Sequence, residues 1–83
     1  MYEVKFTESS ERQLKKFEKD TQDRIIKVLE RIRIRPESFV EKLIGEPGYK
    51  LRIGDYRLIL DIENKNLVIL VLKVGHRKNF YKD

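Results

Sequence analysis

Cysteine, tryptophan and alanine are absent from the chain, histidine occurs once, and there are only 4 glycines and 2 prolines. Without cysteine there can be no disulfide, no Cys-ligated zinc and no thiol nucleophile, and the lack fits a reducing compartment. A single histidine leaves metal binding to carboxylates, and no acidic cluster has suitable spacing, so no metal and no cofactor is expected. Neither a phosphate-cradling G-x-x-x-x-G-K loop nor a nucleophile elbow is present. Long hydrophobic runs are missing too. The longest, LVILVL at 67–72, is too short to span a bilayer as a helix. The opening MYEVKF lacks a basic stretch followed by an apolar one, so no secretory signal is expected. These absences together predict a soluble cytoplasmic protein with no membrane partner.

The sequence has 83 residues, enough for one domain over 1–83 with a thin core, since a chain this short buries about 60–65% of its unfolded surface. The missing alanine, with abundant Ile, Lys and Glu, recurs in proteins from hot environments. Genome base composition produces the same bias. The net charge is +5, and its distribution is uneven. Residues 1–47 hold 11 Lys/Arg against 10 Asp/Glu, while residues 48–83 hold 8 against 4. A basic surplus in the second half suits a polyanion or an acidic protein partner, or it belongs to a generic basic surface.

Tyr2, Val4 and Phe6 alternate with Glu3 and Lys5, which predicts a strand over 2–6. Thr7 or Ser9 supplies a cap for a helix over about 8–18, with Leu14 and Phe17 on one stripe. Asp20 or Thr21 caps a second helix, in which Ile25, Val28, Leu29 and Ile32 recur at helical spacing. Pro36 ends it near Arg35. The short link between the helices predicts an antiparallel hairpin. Residues 36–48 read as a connector, with a helical turn over 38–43. Strands follow at 49–53, 56–62 and 67–74, the last two separated by a turn at Asn64, Lys65 and Asn66. The predicted fold is α+β with the order β-α-α-β-β-β: an N-terminal helix hairpin on one face of a small, mainly antiparallel sheet.

In YKLRIGDYRLIL (49–60), Gly54-Asp55 reads as a two-residue turn. The register pairs Ile53 with Tyr56, merges two apolar faces, and sets Arg52 across from Arg57 and Lys50 across from Ile59. Facing like charges are normally destabilising. The face away from the helices is then either a solvated surface covered by arginine stems or an anion-binding surface of Lys50, Arg52 and Arg57. The last strand does not alternate. It is either an ordinary central strand in a thin core or one whose second side is covered by the tail or by a partner chain. Gly75 is expected to release this strand. The tail after it brings together His76, Arg77, Lys78 and Tyr81. His76 is either a plain surface residue or an acid/base, and Tyr81 either a packing anchor or a base-stacking ring.

These residue types suffice for RNA cleavage without a metal. RNA carries its own nucleophile, the 2′-OH. Attack on the adjacent phosphate needs a base, cations for the developing charge and an acid for the 5′-oxygen. Lys, Arg, His and Tyr can fill those places, and an aromatic ring can stack on an unpaired base.

Three stretches carry a resemblance: K-L-x-G at 42–45, YKLRIGDYRLIL at 49–60 and V-G-H-R-K-x-x-Y at 74–81. Together they resemble the RelE/ParE superfamily of bacterial and archaeal toxins, and the likeness extends over nearly the whole chain. The resemblance implies the toxin of a type II toxin–antitoxin pair, with the RelE branch favoured. Its members cut mRNA in the ribosomal A site without a metal, leave a 2′,3′-cyclic phosphate and a 5′-hydroxyl, and so stop translation. Their functional positions map onto Lys50, Arg52, Arg57, Arg77 and Tyr81. Arg52 stands where relatives often have lysine. It is a poorer proton acceptor but a good phosphate ligand. Tyr81 follows Arg77 more closely than in the best-known members, which leaves His76 as a further acid or base. Lys78 adds a phosphate contact. The implied partners are a cognate antitoxin, in a hetero-oligomer, and the ribosome with its mRNA. The alternatives are a ParE-like poison of DNA gyrase and a degenerate toxin that acts only as a binding module.

Overall fold

Tyr2, Val4 and Phe6 turn one side of the first strand, β1 (Glu3–Phe6), toward the core, as their alternation requires. The structure, a computed structural model, describes residues 1–80. Helix α1 (Glu8–Lys15) begins at Thr7, whose Oγ1 accepts from the Ser10 amide at 3.0 Å. This satisfies one of the amides that a helix start leaves without a partner. The buried Ser10 hydroxyl in turn donates to the Val71 carbonyl at 2.7 Å and ties α1 to the sheet. Helix α1 is shorter than expected because the chain turns at Lys16 to enter α2 (Lys19–Arg31).

Asp20 and Thr21 do not cap α2. They lie in its first turn, the cap position is Glu18, and Gln22 reaches back to the Phe17 carbonyl at 2.8 Å. Ile25, Leu29 and Ile32 are buried, as their spacing predicts. Helix α2 stops at Arg31, short of the boundary set by Pro36. The cause is tertiary. The Tyr2 amide donates to the Arg33 carbonyl (2.9 Å), and Arg33 Nε donates to the Tyr2 carbonyl (2.7 Å), which draws the chain off the helix axis to the start of β1.

A 3-10 turn (Pro36–Ser38) replaces the helical turn expected at 38–43, and β2 (Glu41–Lys42) follows it. Next come β3 (Tyr49–Ile53), β4 (Tyr56–Glu63), β5 (Val68–His76) and a short helix α3 (Arg77–Phe80). The sheet order is β1-β5-β4-β3-β2, with β1 parallel to β5 and every other pair antiparallel. The fold is therefore α+β as expected, with one more strand, β2, at its edge.

The core joins Leu14, Ile25, Leu29 and Ile32 from the helices to Leu51, Ile53, Leu58, Leu60, Ile69, Val71 and Val74 from the sheet. Full burial of one such side chain contributes about 1.5–3 kcal/mol. Strand β5 reaches this core only by breaking its alternation. Ile59 pairs with Lys73 but Leu60 pairs with Val71, so Leu72 is an extra residue in a β-bulge. A bulge moves every later side chain to the other face. Without it Lys73 would point into the core. With it Val74 is buried, Lys73 is exposed and Gly75 lies opposite Arg57. Gly75 therefore does not release the strand, which continues through His76. Among the described residues no helix is long and apolar enough to cross a membrane.

Candidate functional site

The β3–β4 hairpin has the predicted register: Ile53 pairs with Tyr56, Arg52 with Arg57 and Lys50 with Ile59. Gly54 has φ +59°, a left-handed value that the first position of a type II′ turn requires and that glycine adopts without strain. Across the outer face, away from the helices, the register aligns residues in rows. Gly75, Arg57 and Arg52 form the row nearest the hairpin tip, and Lys73, Ile59, Lys50 and Glu41 form the next. Farther along lie Lys5, Leu70 and Asp61, and then Glu3, Val68 and Glu63. This face is basic toward the tip and acidic at the opposite end.

The facing arginines diverge. Arg52 is exposed and borders a groove beside α2. Arg57 folds back on the tip, where Nη1 donates to the carbonyls of Gly54 (3.1 Å) and Tyr56 (3.2 Å). It is only 6% exposed, and its Nε is buried without a hydrogen-bond partner. An unpaired buried donor costs about 1–3 kcal/mol, more when it is charged. Gly75 across from it in β5 carries no side chain to supply an acceptor.

Lys50 is half-buried, and its Nζ lies 3.7 Å from the Glu41 carboxylate on the paired strand β2. Glu41 was not legible in the sequence because β2 has only two residues and no alternation. Lys42, its neighbour, sets its Nζ 5.2 Å from the centre of the Tyr49 ring and so anchors the same edge.

The tail joins the hairpin tip through the backbone: the Arg77 amide donates to the Asp55 carbonyl at 2.7 Å. Arg77 and Lys78, both exposed, thus start α3 beside the turn that holds Arg57. His76 is not brought to the basic face. It pairs with Tyr56 on the helix side of the sheet, and Phe17, Tyr56 and His76 stack edge to face with centroids 5.1 and 5.2 Å apart. Its Nδ1 accepts from the Lys78 amide at 3.1 Å, which caps α3. The bulge at Leu72 sets this side. Tyr81 lies outside the described residues. Among the described residues no group of three or more His, Asp or Glu is placed to hold a metal.

The arrangement brings Lys50, Arg52 and Arg57 to one surface, with the Arg77 backbone bonded at its end, and such a set of cations can take up an anion. The model of a family described as the ParE toxin of type II toxin–antitoxin systems, parDE, matches residues 4–81. No curated protein matches the chain. Among solved structures it is similar to a chain of the RelBE2 toxin–antitoxin complex from Mycobacterium tuberculosis, with 25% identity, a TM-score of 0.85, and 92% of this chain and 91% of that one covered. It is similar to a chain of the archaeal RelE–RelB complex from Pyrococcus horikoshii, with 31% identity, a TM-score of 0.76, and coverage of 92% and 94%. It is also similar to a chain of the intact RelBE complex of E. coli, with 26% identity, a TM-score of 0.78, and coverage of 92% and 96%. By family and by fold alike, the chain belongs to the RelE/ParE superfamily and is a toxin of the type II toxin–antitoxin class.

Proposed function

We propose that the protein is an endoribonuclease that cuts mRNA in the ribosomal A site and so inhibits translation. The observation that carries this reading is the row of basic residues on the outer face, with Arg77 tied to the same hairpin tip by its amide bond to Asp55. In the reaction the 2′-OH attacks the neighbouring phosphorus. A proton leaves the 2′-oxygen, the new O–P bond closes a 2′,3′-cyclic phosphate, and the P–O5′ bond breaks. The 5′-oxygen takes up a proton and departs as a hydroxyl. Lys50 is the proton-transfer partner, because an amine changes charge far more readily than a guanidinium. Arg57 and Arg77 stabilise charge on the phosphorane, a contribution of the kind worth about 2.7–4 kcal/mol per donor. Arg52 and Lys78 grip the backbone, and Tyr81 stacks on a base. To meet a phosphate, Arg57 is approached along its unpaired Nε edge or leaves the tip carbonyls, and the phosphate takes Lys50 from Glu41. His76, engaged with the Lys78 amide on the other face, holds α3 and thereby Arg77 in position.

The toxin class implies a cognate antitoxin in a hetero-oligomer. RelE–RelB complexes among the similar structures support this partner. The half-buried Leu70 and the exposed Leu72 on the outer face of β5 are the apolar surface that it would cover.

A second reading, a ParE-like poison of DNA gyrase, is favoured by the family description that matches 4–81. One experiment separates the two. Purified protein is incubated with programmed ribosomes and the product ends are mapped, and in parallel with gyrase and supercoiled DNA. The expected outcome is A-site cleavage with cyclic phosphate ends, reduced about 100-fold or more by Arg57→Ala or Arg77→Ala. Gyrase-linked DNA breaks with intact mRNA would instead establish the second reading. Neither activity would leave a binding module.

A further inference from the structure

Helix α2 and the tip of the β3–β4 hairpin enclose an open groove of about 680 Å³. Arg24, Lys27 and Arg31 line one wall and Arg52 the other. The helical three follow the i, i+3, i+7 spacing of a single stripe, which spreads them over roughly 10 Å of axis. All four are exposed, and none forms an ion pair among the described residues. The groove also holds two carboxylates, Asp20 in the first turn of α2, where the helix dipole favours it, and Asp23 in the next turn. Asp23 is already engaged by Lys19 at 3.2 Å. Four cations thus face two carboxylates, and the excess of positive charge lies toward Arg31 and Arg52.

We propose that this groove binds the sugar–phosphate backbone of single-stranded RNA and extends the outer-face site around the edge of β3. The inference rests on the RNA-directed function proposed for that face. Three features favour RNA over an acidic protein. Three of the four cations are arginines, whose planar fork matches phosphate oxygens. The apolar lining is confined to Val28, half-buried, and Ile53, buried, so an amphipathic partner would find no exposed anchor. Arg52 belongs to both the groove and the outer-face row with Arg57, so one strand can follow a continuous path between them.

The test is binding of a fluorescein-labelled oligouridylate to the full chain across a salt series, without ribosomes. Two triple variants are compared. Arg24→Ala/Lys27→Ala/Arg31→Ala empties one wall. Arg12→Ala/Lys15→Ala/Lys65→Ala removes equal charge elsewhere. Each phosphate contact on a single strand contributes about 0.7 to the slope of log affinity against log salt, so the groove variant should lose about 2 from its slope and bind roughly 100-fold more weakly near 0.1 M salt. The control should change by less than about 0.7. Circular dichroism checks that each variant is folded. Should the groove triple misfold, Lys27→Glu alone must lower the slope by at least about 0.7. The proposal is overturned if wild type does not bind, if both triples weaken binding equally, or if neither does. It is also overturned if a polyglutamate peptide binds more tightly than the oligouridylate and loses its binding in the groove variant, which would assign the groove to an acidic protein. Absence of ribosomal cleavage by wild type would refute the nuclease function and leave this binding result standing.

Discussion

On the inner face of β4, Leu58 and Leu60 are fully buried against the helices, while on the outer face of the same strand Arg57 is almost as buried and has a donor without an acceptor. The two faces differ in what they serve. Inner positions are filled by aliphatic side chains of matching shape, and their burial stabilises the fold. The outer face gathers cations opposite one another and buries one of them at a cost. A protein near the lower limit of domain size has little stability to spare, and the phosphate-binding role proposed for Arg57 would offset that cost.

The contrast can be broken first at adjacent positions of β4. Leu58→Ala on the inner face should lower stability by about 2–5 kcal/mol, because a cavity is left among Ile25, Leu29 and their neighbours. Ile59→Ala on the outer half-buried face should cost less than about 1.5 kcal/mol. Urea denaturation of both variants measures the difference. Equal losses would mean that the outer face is a second core.

A smaller effect sharpens the role of the histidine. His76→Ala removes the acceptor of the Lys78 amide and should cost about 1 kcal/mol, with ribosomal cleavage reduced several-fold through looser placement of Arg77. His76→Asn keeps a cap acceptor and should restore most of the cleavage, with an unchanged pH–rate profile. If asparagine fails to rescue and the profile loses a limb, His76 is a proton donor in the reaction rather than a positioning residue.

Much of this contrast was legible in the sequence. The Gly54-Asp55 turn and the strict alternation around it fixed the hairpin register, and with it the facing arginines and the face they share. The second half of the sheet was not legible, for a physical reason. In LVILVLKVGH (67–76) six apolar residues precede the first charge, so nothing marks where the phase of alternation slips. The bulge at Leu72 is decided by packing. It alone places Val74 in the core, Gly75 opposite Arg57 and His76 on the helix side. The same holds for Glu41, whose pairing with Lys50 depends on a strand too short to show a pattern. Helix α2 ends before the boundary that Pro36 marks because Arg33 bonds to Tyr2, a contact far away in sequence.

The most direct test of the central claim, that Arg57 is kept for phosphate chemistry and against stability, is Arg57→Leu assayed for both properties. Replacing buried ionic groups by aliphatic side chains of similar volume is often neutral or stabilising by about 1–4 kcal/mol, the Gly54 and Tyr56 carbonyls at the hairpin tip can turn to water once the guanidinium is gone, and each kcal/mol raises Tm by about 4–8 °C in a domain of this size. The account predicts an equal or higher Tm together with a loss of A-site cleavage of about 100-fold or more. A lower Tm, or cleavage within about tenfold of wild type, would contradict it.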